Sequence, residues 1–375
     1  MRTSANIIVI LMTSLTIACF VQAGPLEPVN PPAPTMKTLT QVEPRTIINA
    51  TNTPGDPNNS FIINEPGSYY LTASLVGEVA KNGILIDAND VAIDLNGFAL
   101  TGVPGSAKGV DVQGRYTNLV IQNGTVNHWG SVGINLNNET RLGYSFINRS
   151  TLRNLHVSDN GANGIKATES SLITDCLVED NGNYGISAST GANVQRCTVR
   201  QNQSVGIGLG RDALISDCVV ADNGDTGIQA SGGAIMVHHC NVNDNGNFGI
   251  NVGRYSSVIE CAAKNNDDNG INVSQKCLVL NNNCTNNGSN AGEDAAGITV
   301  TSSGNRIEGN NCVGNDRGIE VPVAGSIILK NTASGNGANY VISASNAFGP
   351  LVNVAGAGDI TATLNADHPW ANFEY

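Results

Sequence analysis

Carboxylates that could hold a cation recur at fixed distances along this chain. Asp159 and Asp180 are 21 residues apart, and Asp222 and Asp244 are 22 apart. Ca²⁺ is bound by several oxygens, often carboxylates, and like charges held side by side repel unless something intervenes. These four residues are therefore the metal candidates, and Ca²⁺ is the one cofactor in view. The opposing reading is a set of solvated turn residues, which the usual exposure of Asp favours. A second set is basic. Arg211, Arg254 and Lys276 stand at nearly the same point of their repeats, on one edge over three or four coils, with Tyr255 beside Arg254. On an acidic protein, a local basic edge with an aromatic ring could hold an acidic sugar chain, and scattered surface charge is the competing explanation. A third set gathers Arg115, Tyr116 and His128 with Arg141 and Tyr144, the last two from an insertion. Insertions on repeat proteins tend to mark the binding face. Trp129, beside His128, stands in a column otherwise held by asparagine and so also reads as core.

The remaining titratable residues look structural. Asp175, Arg196, Asp217, His239 and Glu260 form a column of alternating sign, and Glu179 faces Arg200 one repeat on. Such cross-repeat pairs each contribute little, and His239 reads as a pairing partner before a catalyst. Asp267-Asp268 is the one adjacent Asp pair. It falls where sibling repeats carry Gly182-Asn183, Gln203-Ser204 and Gly224-Asp225, so it reads as turn variation and not as the acid and base of a glycosidase. Nine cysteines are present, without CxxC spacing. Eight follow Cys19, most of them one per repeat between apolar neighbours, as buried free thiols would be.

The repeat that positions all these residues is carried by glycine. Gly164, Gly185, Gly206, Gly227, Gly249 and Gly270 follow one another at steps of 21, 21, 21, 22 and 21, each followed by Ile. Four residues before each stands Asn160, Asn181, Asn202, Asn223, Asn245 or Asn266, and Asn287, Asn315 and Asn336 extend that column. Five residues before each of the first six asparagines comes Leu155 or a cysteine, with Val or Ala two later. Several columns in register at one period mean a solenoid. Nothing has a 3.6-residue apolar rhythm; short alternations such as Cys197-Thr198-Val199, broken by Gly, Asn, Asp and Ser, are strand and turn chemistry. Three strands of 3–5 residues fit in a repeat of roughly 21. The chain is thus expected to be all-β, a right-handed parallel β-helix of about 12 coils with N- and C-terminal caps. A stacked Asn amide can donate to one coil and accept from the next. The marker glycine is expected to take a positive φ or to let the backbone pass close.

In chain order, residues 1–23 read as a signal peptide and 24–40 as a proline-rich linker. Residues 41–80 form an N-terminal cap, 81–341 the repeats and 342–375 a C-terminal cap closed by Trp370 and Phe373. The apolar run before residue 23 is too short for a membrane span. Export to the cell surface, periplasm or medium is expected. Loss of Arg2 takes the net charge from −12 to −13, which argues against nucleic acid as a partner.

The Asn-Gly-Ile repeats, the asparagine column, Asp94-Leu95-Asn96-Gly97 and Pro66-Gly67-Ser68-Tyr69-Tyr70-Leu71 resemble secreted right-handed β-helix proteins of the pectate-lyase-like superfamily, in particular its bacterial members. The resemblance covers Gln41 to Tyr375 and implies the fold. It does not choose among lyases, hydrolases, epimerases, tailspikes and adhesins. The Asn-Thr-Asp and Gly-His-Gly phrases of polygalacturonases and the Asp-Pro-His phrase of uronan epimerases are absent. A protein that binds, and could process, polysaccharide on a lateral face is one expectation. A non-catalytic structural or adhesive rod is the alternative.

Overall fold

Alternation of apolar and polar residues in three-residue runs places one side chain in and the next out. Ile165 and Ala167 are buried while Lys166 between them is partly exposed, and Ile186, Ser187 and Ala188 repeat the pattern one coil later. The computed structural model describes residues 43–137, 149–288 and 295–375. Over Arg45–Tyr375 these form one unit, a coil of three strand-bearing faces. Face 1 is a 13-stranded parallel sheet from Asn59–Ile63 to Ala338–Ile342. Faces 2 and 3 belong to one 26-stranded sheet, because Leu119–Asn127 and Ser150–Ser158 run through the corner between them. The solenoid therefore has somewhat more turns than the dozen expected.

Register is fixed by the repeat. Ile165 pairs with Ile186, Ile186 with Ile207, Ile207 with Ile228 and Ile228 with Ile250. A slip of one residue would turn each isoleucine outward. The stretch expected to be an aperiodic N-terminal cap already pairs as a coil: Phe61 aligns with Ile84, and Tyr69 with Ile93. At the other end Trp370 does not plug the core. It is 45% exposed, with the Lys330 ammonium 4.9 Å from its ring centre, and the buried residue is Asn372. An indole exposes its ring readily when a cation covers one face, whereas Asn372 is needed to complete a hydrogen-bonded column.

The asparagine column is a continuous ladder. The Nδ2 of each of Asn160, Asn181, Asn202, Asn223, Asn245, Asn266, Asn287 and Asn315 donates to the Oδ1 of the next asparagine at 2.9–3.0 Å. The same Oδ1 accepts the backbone N–H of the preceding asparagine, and Asn202 Nδ2 also reaches the Val178 and Arg200 carbonyls. Trp129 continues the column upward, its N–H donating to Asn160 Oδ1 and its indole to the Leu100 carbonyl; it is buried core. The marker glycine serves this ladder by close approach and not by positive φ. A Cβ on Gly206 would lie 2.7 Å from Asn223 Nδ2 and 2.5 Å from a Val220 methyl.

Two further polar columns stack in the core. Beyond Cys261 the cysteine column becomes Asn282, Asn310, Asn331 and Asn372, bonded in series. A third joins Cys277, Asn305, Ser326 and Asn346, each oxygen taking the N–H of the residue before it. Cys176, Cys197, Cys218, Cys240, Cys261, Cys277, Cys284 and Cys312 are free and buried. Burial pushes the Cys277 and Cys284 thiols up, so they stay protonated.

Candidate functional site

Each turn has three corners, and a single left-handed residue makes much of each bend. Between faces 3 and 1 those residues are His128, Asp159, Asp180, Gln201, Asp222 and Asp244, all with φ between 54° and 58°. Asp tolerates this region better than most residues, which gives the four metal candidates a backbone reason to be there. All four are exposed. Burial and the neighbouring Asp159 and Glu179 charges raise the pKa of Asp180. Asp244 instead takes hydrogen bonds from Asn243 and Asn265.

Between faces 2 and 3 the left-handed column is Asp175, Arg196, Asp217, His239 and Glu260. Its opposite charges meet as the spacing implied. Arg196 grips both oxygens of Asp175 at 2.8 and 2.9 Å, and His239 Nε2 lies 2.5 Å from Glu260. Nearby, Glu179 is bonded by Arg200 at 2.7 Å and by His156 at 2.8 Å. Burial works to raise the Glu179 pKa, but these two partners hold it below the usual carboxylate range. Asp268 accepts from the backbone and side chain of Asn269, a turn role.

Between faces 1 and 2 lies the basic edge. Arg211, Arg254, Tyr255 and Lys276 are all exposed within four coils, with the coil of Gly232 and Gly233 between the two arginines. Two cations each lie 5.7 Å from the centre of the Tyr255 ring: the Arg254 guanidinium and the Lys276 ammonium. Arg115 and Tyr116 stand on this same edge several coils earlier, while His128 is at the far side of face 1. The third set of candidates is therefore split across the face. Arg141 and Tyr144 lie outside the described residues. The Tyr116 hydroxyl donates to Asp87, and that carboxylate pushes its pKa up to about 12.

Face 1 itself carries two shallow polar clefts. One, of about 280 Å³, is lined by Asp56, Asn59, Asn82, Lys108, Asp111 and Gln113 among others. The other, of about 580 Å³, reaches Gly210, the chain neighbour of Arg211, and is lined by Glu169, Tyr184, Ser187, Thr190, Gly208 and Gln229 among others. Tyr184 was not evident from the repeat. Its ring lies across Gly208 of the next coil, where a Cβ would be 2.8 Å from the ring. The available signal was Gly208 itself, a glycine in the outward column between Ser187 and Gln229.

Residues 82–235 match the family described as right handed beta helix region. No curated protein matches the chain in sequence. Among solved structures it is similar to the A-module of the Azotobacter vinelandii mannuronan C-5 epimerase AlgE4, with TM-score 0.62 and 16% identity over 75% of this chain and 90% of that one. The A-module of AlgE6 from the same organism gives TM-score 0.58 and 17% identity over 76% and 91%. Among the described residues no helix is long and apolar enough to cross a membrane. With three parallel-stacked faces, an asparagine ladder and these matches, the chain is a right-handed parallel β-helix protein.

Proposed function

We propose that this protein binds polysaccharide along face 1, outside the cytoplasm, with the larger cleft and the Arg211–Lys276 edge as its site. The observation that carries this reading is Tyr184. One edge of its ring packs against the bare backbone of Gly208, in a cleft of hydroxyl and amide groups, beside a row of cations on an otherwise acidic chain. Flat aromatic surface suits the apolar face of a sugar ring, and a few convergent polar groups fix orientation. Arg211, Arg254 and Lys276 favour a sugar chain bearing carboxylates. The fold is shared with modules named as mannuronan epimerases, which fits a uronate polymer. The catalytic phrases of such enzymes are missing from the sequence, so binding without turnover is the activity proposed. Ca²⁺ at Asp159, Asp180, Asp222 and Asp244 is proposed to support that binding and is tested with it.

The test is affinity-gel retardation against polyuronates and neutral polysaccharides, with and without Ca²⁺, while following unsaturated and reducing ends. Retardation by a polyuronate without products is expected. Tyr184→Ala and Arg254→Ala should each weaken it about tenfold, equivalent to roughly 1.4 kcal/mol. Retardation unchanged in both variants would remove the site from face 1. If no polysaccharide retards the native chain, the structural rod is the better reading. That reading has its own support in Asn251 and Asn272 on face 1, whose amides bond to each other instead of offering themselves to a ligand.

A further inference from the structure

The corner between faces 2 and 3 holds a second cluster. His238 ends the strand Met236–His238 and His239 follows it. Neighbouring residues of a strand point to opposite sides, so two adjacent histidines would ordinarily diverge. Here His239 is the left-handed corner residue, with φ of 52°. The bend breaks the alternation and brings the rings to a centroid separation of 3.7 Å. One coil on, Glu260 occupies the same corner with φ of 54°. Its Oε2 lies 3.4 Å from His238 Nε2 and 2.5 Å from His239 Nε2. The three donor atoms all fall within 4.8 Å of one another.

We infer that His238, His239 and Glu260 form a surface site for a borderline divalent cation, with Zn²⁺ the best fit. The donor set decides the metal. Two imidazole nitrogens and one carboxylate oxygen suit zinc, which binds nitrogen at about 2.0–2.1 Å and accepts tetrahedral coordination. Ca²⁺ and Mg²⁺ require more oxygens than this corner offers. Three protein donors leave one position for water or an incoming ligand, and the half-exposed rings keep it open to solvent. Asp217 Oδ1 stands 3.7 Å from His239 Nδ1, the nitrogen that faces away from Glu260. A carboxylate there orients the ring and makes the other nitrogen a better donor. No other turn of this corner carries two histidines: its equivalents are Thr174-Asp175, Gln195-Arg196, Ser216-Asp217, Ile259-Glu260 and Leu280-Asn281. The site is independent of the polysaccharide reading.

The experiment is titration of the purified chain with Zn²⁺ by calorimetry and with Co²⁺ by visible absorption. One equivalent is expected, with d–d bands of a nitrogen and oxygen donor set. His239→Ala and Glu260→Gln should each weaken binding at least tenfold, and His238→Ala likewise. His156→Ala, which alters an unrelated His–Glu pair, should leave it unchanged. Circular dichroism checks that each variant is folded. Thiolate charge-transfer bands in the near ultraviolet would place the metal on cysteine and overturn the assignment. So would stoichiometric binding that survives the His238→Ala/His239→Ala double variant, or no binding at millimolar Zn²⁺.

Discussion

Asn202 shows what a single residue carries here. Its Oδ1 accepts two donors from Asn181, and its Nδ2 donates to Asn223 and to two carbonyls. Asn202→Ala would leave the Asn181 backbone N–H buried without an acceptor, and the Val178 carbonyl and the Asn223 Oδ1 without this side-chain donor, while Asn181 Nδ2 keeps the Val157 and Glu179 carbonyls. At about 1–3 kcal/mol for each such group, a loss near 3 kcal/mol is expected, measured by denaturant unfolding. Gly206→Ala attacks the same ladder from the other side by pressing a methyl onto Asn223, and should cost about 1–3 kcal/mol as overpacking does. Glu179 gives a pH signature. Its folded pKa is depressed, so its contribution is fully present above the unfolded value of about 4.3 and is lost as pH falls through the folded value. Glu179→Gln should therefore reduce stability by roughly 1 kcal/mol near neutrality and by little at pH 3. An equal loss at both pH values would show that the charge is not the cause.

At the scale of the element, the period carried most of the information. Fixed spacing of Asn and Gly gave register, the ladder and the sides on which Arg211, Arg254 and Lys276 stand, because stacked coils convert sequence period directly into contact. The Cys277–Asn346 column escaped notice because its members differ in type and share only a small polar side chain. His238 was missed for a related reason: a left-handed corner residue moves a neighbour to the same side, and strand alternation does not foresee that. Trp370 failed as a plug because the core it was meant to cover ends on Asn372, which satisfies Asn331. The free thiols belong to this scale as well. The eight buried cysteines should be silent to a thiol reagent in the native state and react together in denaturant. Fast reaction of Cys197 or Cys218 without unfolding would mean that the strands around them open locally.

Over the whole molecule, the sequence was informative about architecture and poor about activity. Core positions are dictated by packing in every coil, so they repeat; a binding site breaks the repeat, and a break looks like noise until the coils are stacked. Gly208 and Tyr184 are such a break, and only their contact gives them meaning. The three corners also divide the surface. The carboxylate column and the basic edge lie on opposite sides of face 1, while the His238–Glu260 corner is across the rod from it.

The asparagine ladder also has a direction. In all eight links the amino group of one amide points to the oxygen of the next, toward the C-terminal end. Aligned amides polarise one another, so the string acts as one electrical unit. Reversing a single amide would set oxygen against oxygen on one side and hydrogen against hydrogen on the other. The orientation of each asparagine is thus settled by its neighbours and again by the backbone, because each Oδ1 also accepts the N–H of the preceding asparagine. Trp129 fixes its sense at one end by presenting an N–H that only an oxygen can meet.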